Sequence, residues 1–191
     1  MTLPGRLRAV AAGFDTAALQ AFPWPAPGPD LPELLDSPEW PEWPALRHWC
    51  LAAPNQPLLL AVPAPEARAT AAERAAAVGL ELDGTRLLMD GRGPLAKLAL
   101  RLRVKWQDLR GGMPDGRVWD SGRVPPTAAA HAALQRFVPR RPSLIVVDSA
   151  AAADVQRLAH ALRARSASFA CPVRVLWLGP APGPGWAQLP A

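Results

Sequence analysis

The pattern of apolar and polar positions becomes regular at residue 57. PLLLAV (57–62) is an apolar run bounded by prolines, which predicts a buried strand. EARATAAERAAAVG (66–79) is Ala-rich, with Pro65 at its start and Gly79 at its end, and predicts a helix. TRLLMD (85–90) predicts a second strand. Residues 127–138 predict a helix with Thr127 as its cap and Leu134, Phe137 and Val138 on its buried face. SLIVVD (143–148) is apolar on both faces, as a strand inside a parallel sheet requires. In 151–165, Val155, Leu158, Ala159 and Leu162 recur at helical spacing, and VRVLWLG (173–179) supplies the last strand. This alternation predicts a three-layer α/β core over 57–179, with a mostly parallel sheet between helices. PAPGPGWAQLPA (180–191) reads as a loose tail.

Residues 1–56 do not share this rhythm. They read as an irregular, Pro/Trp-rich segment that packs on the core or extends from it. DTAALQAF (15–22) can form two helical turns, whereas FPWPAPGPD (22–30) cannot be helix or central strand. SPEWPEWPALRHWC (37–50) repeats Glu-Trp-Pro every three residues. In a polyproline helix this puts Trp40 and Trp43 on one face and Glu39 and Glu42 on another, with Trp49 beyond. Two roles follow. The tryptophans dock into a partner's groove, or they form a strap over the chain's own apolar surface; the strap is the commoner use of such a segment.

Residues 94–109 fit two patterns. As a strand, Leu98, Leu100, Leu102, Val104 and Trp106 alternate with a basic face, and RVWDSGRV (117–124) is the second arm of a hairpin. As a helix, Pro94 opens it and Leu95, Leu98, Leu102, Trp106 and Leu109 form one stripe. Helix is favoured at the front of the stretch.

Charge adds a second division. The net charge is +5, but residues 1–56 hold three basic against six acidic residues, and the rest hold 18 against 10. An acidic front and a basic body suit an anionic partner, nucleic acid first. Nineteen of the 21 basic residues are Arg, so arginine is also simply the ordinary surface cation of this chain. Cys50 and Cys171 form no CxxC pair and His48, His131 and His160 are scattered, so neither a zinc site nor a disulfide framework is expected. No stretch reaches the roughly 18 apolar residues of a membrane span. No membrane partner is expected, and the default location is the cytoplasm.

The candidate chemistry lies in GRGPLAKL (91–98), a Gly-rich turn after a predicted strand, which can present backbone N–H groups to an anion. Gly91, Gly93 and Lys97 are its phosphate-binding candidates, together with Asp148 at the end of 143–148. The turn resembles the phosphate loop of P-loop NTPases, G-x-x-x-x-G-K-[ST]. Gly91 and Lys97 match, whereas Ala96 replaces the second glycine and Leu98 the magnesium-binding hydroxyl. LIVVDS (144–149) resembles the Walker B strand of RecA-like ATPases, which implies a magnesium role for Asp148; the ordinary use of Asp at such a junction is a helix cap. Glu81 is the last glutamate, so the catalytic glutamate that RecA-like ATPases carry between the two motifs is missing. The resemblance, over roughly 85–179, implies a RecA-like shell without its hydrolytic apparatus, as in bacterial SOS cell-division inhibitors and some mutagenesis accessory proteins. No catalytic residue and no cofactor is assigned. The alternative is an enzyme that binds ATP or another nucleotide, or a metal and phosphate, through Lys97, Asp90 and Asp148.

Arg101, Arg103, Lys105, Arg110, Arg117 and Arg123 surround Trp106 and Trp119, a mixture that suits phosphate contact with base stacking. The competing expectation is a solvated basic face with both rings in the core. Together these features predict a non-catalytic accessory protein of DNA metabolism that binds a protein or nucleic-acid partner.

Overall fold

Apolar runs without a polar face must be covered on both sides, and the chain uses them in this way. The computed structural model describes residues 17–22, 42–83, 118–148 and 150–191. The predicted strand 85–90 and the ambiguous stretch 94–109 lie outside the described residues.

Five strands form one all-parallel sheet: β1 (Leu58–Pro63), β2 (Asp120–Arg123), β3 (Ser143–Val147), β4 (Val173–Trp177) and β5 (Ala187–Leu189). Their order is β2-β3-β4-β1-β5. Val175 sits between Leu60 and Ile145 in register, and this trio marks the centre of the sheet. The described α-helices are α1 (Pro44–Leu51), α2 (Ala71–Leu82), α3 (Ala128–Gln135) and α4 (Ala152–Arg165). The architecture is the expected three-layer α/β fold.

Alternation along each strand builds two cores. Leu60, Val62, Ile145, Val147, Val173 and Val175 point to one face, where Leu134 of α3 and Val155, Leu158 and Leu162 of α4 cover them. Ala61, Leu144, Val146 and Leu176 point to the other, against Leu46 and Cys50 of α1 and Ala71, Ala75 and Val78 of α2. Thr127 caps α3 as expected, its hydroxyl accepting from the Ala130 amide at 3.2 Å. The helix expected over 66–79 begins instead as a 3-10 turn, Pro65–Thr70, and becomes α-helical only at Ala71.

Four expectations are revised. Residues 17–22, expected within two helical turns over 15–22, form a turn and then the β-bridge of Gln20, because the edge of β2 offers backbone partners there. Residues 44–51 are an α-helix, because Pro44 occupies the first turn, where its missing N–H costs nothing. Residues 187–189, expected within a loose tail, are β5 and pair with residues 61–63 of β1. Val138, expected in the core, is 59% exposed, because α3 ends at Gln135 and the following residues leave the helical face.

The described part of the front segment packs on the core. Trp43 is buried, and its indole Nε1 donates to the Pro190 carbonyl at 2.6 Å. Gln20 forms an antiparallel bridge with Arg123 at the outer edge of β2. Phe22 lies so close to Gly79 of α2 that a methyl group there would overlap its ring.

Candidate functional site

In an open parallel sheet, ligands bind beyond the C-terminal strand ends where the helix connections change face. Here that point is the crevice between β1 and β3, over β4. The chain leaves β1 into α2 on one face and leaves β3 into α4 on the other. Much of this crevice is closed by the protein's own groups. Pro63 and Pro65 have no N–H to offer. The Ala64 amide donates to Leu189 O, the Ala67 amide to Ala64 O, and the Leu178 amide to Val147 O. Arg68, in the 3-10 turn, keeps a buried Nε without a partner among the described residues.

The sequence-level candidates are not gathered here. Gly91, Gly93, Lys97, Asp90, Arg101, Arg103, Lys105, Trp106, Arg110, Arg117 and Trp40 lie outside the described residues. Asp148 does stand at the C-terminal end of β3, where its carboxylate faces Arg123 of β2 at 3.8 Å. It does not cap α4, whose N-cap is Ala151. Among the described residues no cluster of His, Cys, Asp and Glu could hold a metal ion. Trp119 is 5% exposed and Trp43 1%, both inside the core beneath α1 and α2, so neither ring is open to a base or a partner. Trp49 is half-buried and packs at the edge of the same core.

The segments around the two helical layers differ in charge. Residues 128–172 hold Arg136, Arg140, Arg141, Arg157, Arg163 and Arg165 against Asp148 and Asp154; Arg157, Arg163 and Arg165 lie on α4, and Arg141 pairs with Asp120 of β2 at 3.5 Å. Across 42–83, the α1–α2 layer is acidic: Glu42, Glu66, Glu73, Glu81 and Asp83 against Arg47, Arg68 and Arg74. Arg136, Arg157, His160 and Arg163 are exposed. Arg157 is held over the first turn of α4 by Asp154, and Arg165 donates to Gln135 O at 2.6 Å, which ties α4 to the end of α3. Between their N-terminal ends runs a cleft of about 400 Å³ lined by Thr127, His131, Gln135, Asp154 and Arg157. Arg157 and its partner Asp154 meet in this cleft, beside the first turns of both helices.

Sequence reasoning missed Arg174. In VRVLW it reads as the polar position of a strand, yet it is fully buried. Its guanidinium makes five hydrogen bonds, all to carbonyls: Nε to Cys50, Nη1 to Gln56 and Val173, and Nη2 to Ala52 and Ala53, at 3.0–3.2 Å. Four of these carbonyls, from Cys50, Ala52, Ala53 and Gln56, lie at and beyond the C-terminal end of α1, where the helix offers no donors; the fifth belongs to β4. Burial pulls the Arg174 pKa down, and the neighbouring Cys50 thiol pulls it back up. Burial also pushes the Cys50 thiol up to about 12, against a smaller opposing pull from Arg174. Cys50 is therefore a packed, protonated thiol rather than a nucleophile.

No helix among the described residues is long and apolar enough to cross a membrane. No family model matches the chain, and neither the curated proteins nor the solved structures provide a match.

Proposed function

We propose that this chain is a non-catalytic accessory protein of DNA metabolism, a RecA-like shell whose α3–α4 layer contacts the phosphates of nucleic acid. The observation that carries this reading is the basic face of α4, where Arg157 and Arg163 are exposed, with Arg136 exposed just after α3, against an acidic surplus over residues 42–83. Such a face attracts a polyanion without base readout, through phosphate contact and counterion release. The cleft between the starts of α3 and α4 gives one phosphate a place to sit beside His131, where it would compete with Asp154 for Arg157.

Two features support binding over catalysis. The amides of Ala64 and Ala67 after β1 are already bonded within the chain, and Pro63 and Pro65 carry none, so this turn is poorly suited to cradle a triphosphate. Asp148, the residue that resembles a magnesium ligand, is paired with Arg123. An accessory protein with a degenerate phosphate loop is consistent with both.

The test is DNA binding by fluorescence anisotropy at low salt, using labelled single- and double-stranded oligonucleotides. Arg136→Glu with Arg157→Glu is expected to weaken binding at least about tenfold, because each reversal removes a phosphate contact and adds a repulsion. Unchanged affinity in the double variant removes the α3–α4 layer as the nucleic-acid face.

A further inference from the structure

Beyond the nucleic-acid face, and independent of it, the described residues leave half of the lane along the outer edge of β1 without a strand. Backbone parity defines it. The Val173 amide of β4 donates to Pro57 O, so the odd-numbered residues of β1 direct their backbone groups toward β4. The even-numbered residues face the other way, as the Ala64 amide shows by donating to Leu189 O. Leu58, Leu60 and Val62 therefore present their amides and carbonyls to the lane of β5. Yet β5 pairs only with residues 61–63. Among the described residues, no strand lies beside 58–60 on that side.

The cause is a bend at Gly185. It holds a φ of +81°, a conformation open to glycine. There the chain swings out of the lane toward α4. Arg163 holds the bend by donating to Gly185 O at 3.1 Å, and Trp186 packs edge-on against Trp177. What remains beside 58–60 is a groove of about 400 Å³. Its walls are Trp49 of α1 on one side and Arg163 and Ser166 on the other, its floor is Leu58, Leu59 and Leu60, and Ala187 closes its end.

We propose that this groove binds an extended segment of a protein partner, which adds to β1 as a short strand in line with β5. Among the described residues the amides of Leu58 and Leu60 and the carbonyl of Leu58 have no strand beside them on this edge, and they fit a peptide main chain. Apolar side chains of that peptide pack on Leu59 and Trp49. The charged lining group is Arg163, so the segment carries an acidic residue at the α4 side. β5 is the chain's own precedent, an extended segment paired on the same edge.

The probe is an acetylated, amidated hexapeptide of alternating valine and threonine with glutamate at its first position. Amide hydrogen exchange of the full chain is the readout. Slower exchange at Leu58 and Leu60 with this peptide, and none with the same peptide methylated at every backbone nitrogen, is expected. Equal effects from both peptides, protection confined to other amides, or no response at millimolar peptide overturns the proposal. A lysine in place of the glutamate is expected to bind at least about threefold more weakly, as loss and reversal of one exposed charge pair implies; equal binding overturns the acidic preference. Leu58→Pro removes one lane-facing N–H at the first strand position, where proline is tolerated, and is expected to abolish binding. Retained binding in a folded Leu58→Pro chain overturns the site, and if that variant does not fold, the two-peptide comparison decides alone.

Discussion

At the scale of single residues, the clearest commitments are made around the end of α1. Arg174 satisfies carbonyls from Cys50, Ala52, Ala53, Gln56 and Val173. Truncating it empties a buried site and removes the donor from the buried bonds to Cys50 O and Val173 O, and an orphaned buried acceptor costs about 1–3 kcal/mol. Arg174→Ala is thus expected to lower stability by at least about 3 kcal/mol in denaturant unfolding, and Arg174→Lys to rescue it only in part, because a point cation cannot reproduce the fork. Ala53 holds a φ of +49°, where a Cβ is unfavourable. Ala53→Gly is expected to raise the unfolding midpoint, with a gain of about 1 kcal/mol. Cys50 supplies a pH dependence whose sign is fixed. Its folded pKa of about 12 lies above the ordinary 9.0, so the folded state holds the thiol proton more tightly. The resulting contribution to stability is complete below pH 9.0 and is lost as pH rises toward 12. Thiol reagents at pH 8 should leave Cys50 unmodified until denaturant is added; rapid modification of the folded chain would contradict its burial.

At the scale of elements, the front segment and the C-terminus hold each other. The Trp43 indole bonds to Pro190 O beside the pairing of β5 with β1. Trp43→Phe keeps most of the buried ring and removes the donor, so exchange of the Leu189 amide is expected to accelerate while β3 and β4 stay protected. Uniform loss of protection would show that Trp43 serves the whole core instead. Some of these elements were legible in the sequence, and some were not, for physical reasons. Residues 143–147 and 152–165 announce themselves because their patterns are set by burial on both faces or on one stripe. Residues 187–189 have no pattern of their own; they are a strand only because β1 offers an edge. Pro44 reads equally as polyproline or as the first turn of a helix, and contact of Leu46 and Cys50 with the second core decides for helix. Arg174 was invisible for the same kind of reason: its partners lie about 120 residues away in sequence. The basic character of the body was readable from charge, but the exposure of Arg157 and Arg163 on one helix, α4, needed the structure.

At the scale of the whole molecule, an acidic surplus over residues 42–83 stands against a basic α4, and in the crevice where α/β proteins hold ligands the amides of Ala64, Ala67 and Leu178 are already bonded within the chain. ATP with magnesium is accordingly expected to show no micromolar binding by calorimetry, and micromolar affinity lost in Lys97→Ala would restore the nucleotide-binding reading. The most direct test of the central claim is the salt dependence of DNA binding. The affinity for a single-stranded oligonucleotide is expected to fall linearly on a log–log plot against salt, with a slope near −0.7 for each phosphate neutralised, so that three or four contacts give a slope of about −2 to −3. No affinity at low salt, or affinity indifferent to salt, would contradict it.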